Sequence, residues 1–135
     1  MRKLIIFLVL PLCACSIQFS ESTCTMVDYS ERTEKVWNKF NELELQAFED
    51  LYSRTIKIHS TVNQLQETRD EYAELKLPSC YEAAHSSYLE YMDLTIGTWS
   101  YLVDGGHESD SEYKDLLNAS ANALGRALGE SNKLG

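Results

Sequence analysis

Basic residues are scarce in this chain: 12 lysines and arginines stand against 21 aspartates and glutamates, a formal net charge of -9. That deficit rules out a basic groove and argues against nucleic acid or an anionic membrane surface as an electrostatic partner. Prolines number 2 and glycines 6 in 135 residues, which leaves ordinary globular composition, 44% hydrophobic and 24% charged, with room for one domain. The long apolar run that a membrane-crossing helix needs is missing too, since the stretch from Leu4 to Leu12 is about half of the roughly 20 residues required. No catalytic, nucleotide or metal motif of recognised specificity occurs, so no enzyme and no cofactor is expected.

What the first residues do have is an address. A charged start (Arg2, Lys3), the apolar run and a cluster of small residues make the three-part layout of a secretory signal. Within it, Leu12-Cys13-Ala14-Cys15-Ser16 looks like a bacterial lipobox. In that reading residues 1–14 are the signal peptide, the Cys15 thiol takes a diacylglyceryl group, and cleavage leaves Cys15 as the lipidated N-terminus of a tether over 15–27. The alternative is an ordinary secretory signal cut after Cys15 or Ser16, giving a freely secreted protein. Ser16 is not an inner-membrane retention signal, so the outer membrane is the default destination in a host with two membranes. Loss of Arg2 and Lys3 leaves 10 basic residues against 21 acidic, a net charge of about -11.

From there to the end, over 28–135, apolar residues recur at intervals of three and four, the signature of helices with one buried face. A capping box around Asp28 or Ser30 is expected to open the first helix, whose stripe is Val36, Phe40, Leu43, Ala47 and Leu51, widened by Trp37, Phe48 and Tyr52. The second carries Ile58, Val62, Leu65, Tyr72 and Leu75, with Arg69 at the remaining seam position. Pro78 closes it and opens a third helix over about 79–103, which Asp104-Gly105-Gly106 stops. A fourth starts near Ser109 or Ser111, with Tyr113, Leu116, Leu117, Ser120, Leu124, Ala127 and Leu128 inward.

The first two helices carry no Pro or Gly between them. Left unbroken from Ser30 to Leu75 they would run about 69 Å, too long for the two later segments to cover. A break near 53–57 makes four matching segments, an all-α four-helix bundle running up-down-up-down; a three-helix arrangement with a long first helix is the alternative. Cys24 and Cys80 discriminate the two. In the bundle both sit at one pole, so a disulfide in an oxidising compartment is allowed, whereas one long helix would hold them roughly 70 Å apart.

Leu65-Gln66-Glu67-Thr68-Arg69-Asp70-Glu71, then Leu77-Pro78-Ser79-Cys80, Ala84-His85 and Met92, with Trp37 in the first helix, resembles a pattern found in uncharacterised helical bacterial lipoproteins. The similarity spans roughly residues 37–103. It implies a fold and an envelope location, and no activity.

Candidate chemistry is sparse. His85 and Met92 share a face of the third helix, but at about 10 Å along its axis they cannot ligate one haem iron from opposite sides. Glu82 and His85 have the Glu-x-x-His spacing of bundle metal sites, without the second copy such a site needs. The carboxylates at Glu42, Glu44, Glu49 and Asp50, and at Glu67, Asp70, Glu71 and Glu74, read as solvated faces. Most distinctive are the 8 tyrosines. Tyr81, Tyr88, Tyr91 and Tyr101 crowd the third helix, and an exposed aromatic flank there would bind a protein partner at the cell envelope. The expectation is therefore a lipid-anchored, extracytoplasmic helical binding protein, held to a membrane by its lipid, with a carrier of haem, metal or a small apolar ligand as the competing class.

Overall fold

The computed structural model of the protein describes residues 24–53 and 56–135. The signal segment 1–14, the acylation candidate Cys15 and most of the tether lie outside these residues. Among the described residues four α-helices form and no strand does: α1 (Met26–Tyr52), α2 (Ile58–Ala73), α3 (Glu82–Val103), preceded by a 3₁₀ turn at Ser79–Tyr81, and α4 (Ser111–Ser131).

Contacts at both poles set the direction of each helix. Tyr29 near the start of α1 meets Tyr72 near the end of α2, hydroxyl to hydroxyl at 2.6 Å, and Thr61 near the start of α2 donates to Asp50 near the end of α1 at 2.7 Å. Across α2 and α3, Arg69 makes a two-pronged pair with Asp93 at 2.7 and 2.9 Å. The α3–α4 pairing runs antiparallel through Glu90 with Arg126 and Thr95 with Ser120. The order is up-down-up-down, and the break between α1 and α2 falls within the expected 53–57.

The start of α1 differs from the sequence reading. Thr25, not Asp28 or Ser30, is the cap: its hydroxyl accepts the Asp28 backbone N–H at 3.2 Å, and Asp28 then lies in the first turn, where a carboxylate suits the helix dipole. Ser30 and Glu31 resemble a capping box only in isolation. The disulfide one residue upstream, Cys24 to Cys80 with Cα atoms 6.2 Å apart, fixes the chain where the helix begins. The end of α3 follows expectation for two separate reasons. Gly105 takes φ +99°, a left-handed conformation that favours glycine, whereas a Cβ on Gly106 would run into the Tyr101 ring.

Side-chain size around α3 governs the packing. On the α4 side the buried residues are small (Ser120, Ala123, Ala127 and Ser131), so the two helices approach closely along their length. Toward α1 the contacts are large rings: Trp37 packs edge-on to Tyr88 at 4.8 Å between centroids, and Phe40 meets Tyr91 at 6.3 Å. Phe40, Leu65, Tyr72 and Met92 are fully buried at the centre. Hydroxyls share this core without being orphaned, because Thr33, Thr68, Thr98 and Ser131 each donate to the carbonyl four residues back, at 2.8 to 2.9 Å.

One consequence is an incomplete fourth side. The α1–α2, α2–α3 and α3–α4 faces are closed, while α1 and α4 come near one another at few points.

The bridge between Cys24 and Cys80 closes a 56-residue separation. Changing Cys80 to Ser is expected to cost about 3 to 4 kcal/mol and to leave a reactive thiol at Cys24. A denaturant melt with thiol titration checks both; an unchanged midpoint would show that the bundle does not depend on its bridge.

Candidate binding groove

The open α1–α4 side is built from a repeated spacing. On α1, Leu45, Phe48 and Tyr52 follow one another at three and four; on α4, Tyr113, Leu117, Leu124 and Leu128 follow at four, seven and four on the facing flank, Leu124 packing partly on the core. In an ordinary bundle these two stripes would close on each other. Here they stay in solvent: Leu45 is 70% exposed, Phe48 52%, Tyr52 62%, Leu117 49% and Leu128 48%. Of the eight large exposed hydrophobic residues described, only Val27 and Ile56 lie off this seam.

A chain of cavities runs along this side, the central one between the two stripes and its neighbours between α1 and α3 or the turn after α3. A central one of about 250 Å³ is walled by Phe48, Trp99, Leu102, Tyr113 and Leu117. It shares Glu44, Phe48 and Trp99 with a neighbour of about 380 Å³ and Leu102 with one of about 540 Å³ at the far pole, where Tyr52 and His107 form the mouth. The floor is polar but internally satisfied, Thr95 and Ser120 sharing a 2.9 Å hydrogen bond. Glu44 stands at the centre. Its carboxylate accepts from the Tyr91 hydroxyl at 3.0 Å, and burial pushes its pKa above the usual carboxylate value, with that hydrogen bond acting in the opposite sense.

The tyrosines expected to make an exposed flank do something else. Tyr81 is wholly buried and Tyr91 is 8% exposed, while Tyr88 and Tyr101 are half-buried, so the four form no exposed patch. Three act as ties between elements, donating from their hydroxyls: Tyr81 to Asp28 at 2.6 Å, Tyr91 to Glu44, and Tyr101 to Asp110 at 2.7 Å. The fourth, Tyr88, packs against Trp37 and lies near Tyr29 and Tyr72. A helix bearing so many rings turns them inward when the facing helix is itself aromatic, because α1 supplies Tyr29, Trp37 and Phe40 to receive them.

Two carboxylates also depart from the solvated face assigned to them. Asp50 is buried, accepting from Thr61 and from Gln46 at 3.1 Å, and Glu44 lines the groove. Conversely Phe48 and Tyr52, expected to widen the core stripe, pack against each other with tilted rings, 4.4 Å between centroids, in the open seam. Leu117 and Leu128 likewise face solvent. The sequence held a signal for this. The apolar arcs of the first and fourth helices are wider than one buried face requires, and that excess width marks a second surface.

Met92 is fully buried in the core, and toward the disulfide pole His85 stacks on Tyr72 at 4.7 Å with its Nδ1 buried and without a hydrogen bond. No three metal-ligating side chains converge among the described residues. Burial lowers the His85 pKa below its ordinary value of 6.5, the Ala73 backbone pulling weakly the other way. A depressed histidine pKa means that the unfolded chain takes up the proton first. His85 thus contributes stability that is present above about pH 6.5 and is lost as pH falls through the folded-state value. Between roughly pH 7.5 and 5.5 the wild-type melting temperature should fall further than that of His85→Gln; equal falls would show that His85 titrates in the fold as it does in the unfolded chain.

Against known proteins, the chain matches no family model, no curated protein and no solved structure.

Proposed function

We propose that this protein is an extracytoplasmic binding protein, anchored by a lipid on Cys15, that takes an apolar segment of a protein partner in the α1–α4 groove. The observation that carries the reading is the concentration of exposed hydrophobic side chains on the one side of the bundle that the fold leaves open. Scattered exposed apolar residues mean little, but two facing stripes with cavities between them are an interaction surface. The compartment is supported by the Cys24–Cys80 disulfide, since such bridges persist in oxidising surroundings. No described helix is long and apolar enough to cross a membrane; in this reading the lipid on Cys15 makes the attachment.

The groove is open along its length, and the stripes run on past the cavities. From Met26 to Tyr52 the exposed apolar positions of α1 extend over about 39 Å at 1.5 Å per residue. A small ligand would occupy only part of that. An extended or helical protein segment matches it.

Two measurements test the proposal. The double variant Leu45→Asp with Leu117→Asp should keep its helicity and lose no more than about 1 kcal/mol, because Leu45 is 70% and Leu117 49% exposed already. Its binding of the neutral apolar dye N-phenyl-1-naphthylamine should nevertheless fall about fivefold or more. Undiminished dye binding would remove the groove as the site. Separately, Cys15→Ser should move the protein from the membrane fraction to the soluble fraction; wild-type protein that is soluble from the outset would mean free secretion.

A further inference from the structure

The groove reading leaves open what kind of segment enters, and the charges around the seam decide it. Acidic residues line its cavities: Glu34 near the disulfide pole, Glu44 at the centre and Glu108 at the far mouth. No lysine or arginine lines any of these cavities among the described residues. Of the two basic residues on α4, Lys114 turns its ammonium to the Ser109 carbonyl at 2.9 Å and Arg126 pairs with Glu90 at 2.6 Å.

Glu44 is the informative residue. It lines the same cavities as Phe48 and Trp99, with Tyr91 as its hydrogen-bond donor, a half-buried carboxylate among rings and hydroxyls with no lysine or arginine in the lining beside it. Such a group destabilises the free protein relative to an apolar residue, and an incoming cation would relieve that cost. Resting on the groove reading, we propose that the partner segment is a basic amphipathic helix, and that one lysine or arginine set within its apolar face pairs with Glu44.

Three observations converge on this occupant. The facing stripes of α1 and α4 have helical spacing over at least Tyr113 to Leu128, about 22 Å, which matches some fifteen residues of a docking helix. The acidic lining complements a basic segment. A second copy of this chain fits poorly, because it would bring the same three glutamates and, for the chain from Cys15 onward, a second net charge of about -11 against the first.

The test uses the disulfide-bonded protein and three synthetic amphipathic peptides of about eighteen residues, longer than the fifteen-residue stripe. They share one apolar face and an uncharged polar face, and differ only at a central position of the apolar face, which is Lys, Met or Glu. The Lys peptide is expected to bind about tenfold tighter than the Met peptide, and the Glu peptide weaker than both. Glu44→Gln should abolish the preference for Lys, with the Met peptide bound at least as tightly as by the wild type because no carboxylate is left to desolvate; an unchanged thermal melt of its helicity shows the variant to be folded. Equal binding of Lys and Met peptides by the wild type would overturn the role of Glu44 and leave the groove standing. Binding of no peptide, or undiminished binding by the Leu45→Asp, Leu117→Asp variant, would overturn the groove itself. A stable dimer of the free protein in sedimentation would make the second copy the occupant and overturn the proposed partner.

Discussion

The architecture depends on a difference in side-chain size across α3. Toward α4 it meets Ser120, Ala123 and Ala127, and the backbones close up; toward α1 it meets Tyr29, Trp37 and Phe40, and the rings hold the helices apart. A helix drawn in on one flank and propped out on the other cannot have both neighbours also touching each other. The open α1–α4 side is therefore a product of core packing, and filling the core better would not close it.

The same choice explains how the aromatic side is held without strand or metal. Rings pack with considerable area but weak directionality, so an aromatic interface needs added constraints to fix its register. The tyrosine hydroxyls provide them. Tyr81 reaches Asp28 at the disulfide pole, Tyr91 reaches Glu44 near the middle, and Tyr101 reaches Asp110 at the far turn. The Cys24–Cys80 bridge joins α1 to the start of α3 beside the first of these. Register between α1 and α3 is thus pinned at two heights, while Tyr101 ties α3 to the turn that leads into α4. At the far pole, Asp110 also accepts the His107 backbone N–H at 3.0 Å, so one carboxylate secures both the turn and the ring, and those two bonds hold its pKa below the ordinary value.

Much of the fold was legible in the sequence because it rests on local rules. Helical spacing, the Pro78 boundary and the Gly105-Gly106 stop placed four segments, and the length argument located a break that no residue type announces. The cysteine geometry followed from topology alone. What stayed hidden depended on partners from distant parts of the chain. Whether Tyr81 or Tyr91 points to solvent depends on what α1 offers opposite them, and Asp50 is buried because Thr61 meets it from α2. The seam was half visible, as stripes too wide for one interface. Reading it as a groove required knowing that Ala123 and Ala127 draw α4 toward α3.

Glu44 draws these points together. In a fully closed bundle a carboxylate at this level would be sealed between α1 and α4, and its burial would have to be met by a basic residue from within the chain. Because α4 is drawn away, the carboxylate keeps one side toward the groove and one toward Tyr91, whose hydroxyl supplies the hydrogen bond. A stronger internal partner would remove the carboxylate's capacity to discriminate, and full exposure would screen it in water. The intermediate position, half-buried beside Phe48 and Trp99 with a single neutral donor, is the arrangement in which one negative charge contributes most to the choice of what enters. The excess of acid over base elsewhere works in the same sense at longer range: it disfavours self-association through the exposed stripes and draws basic segments toward them.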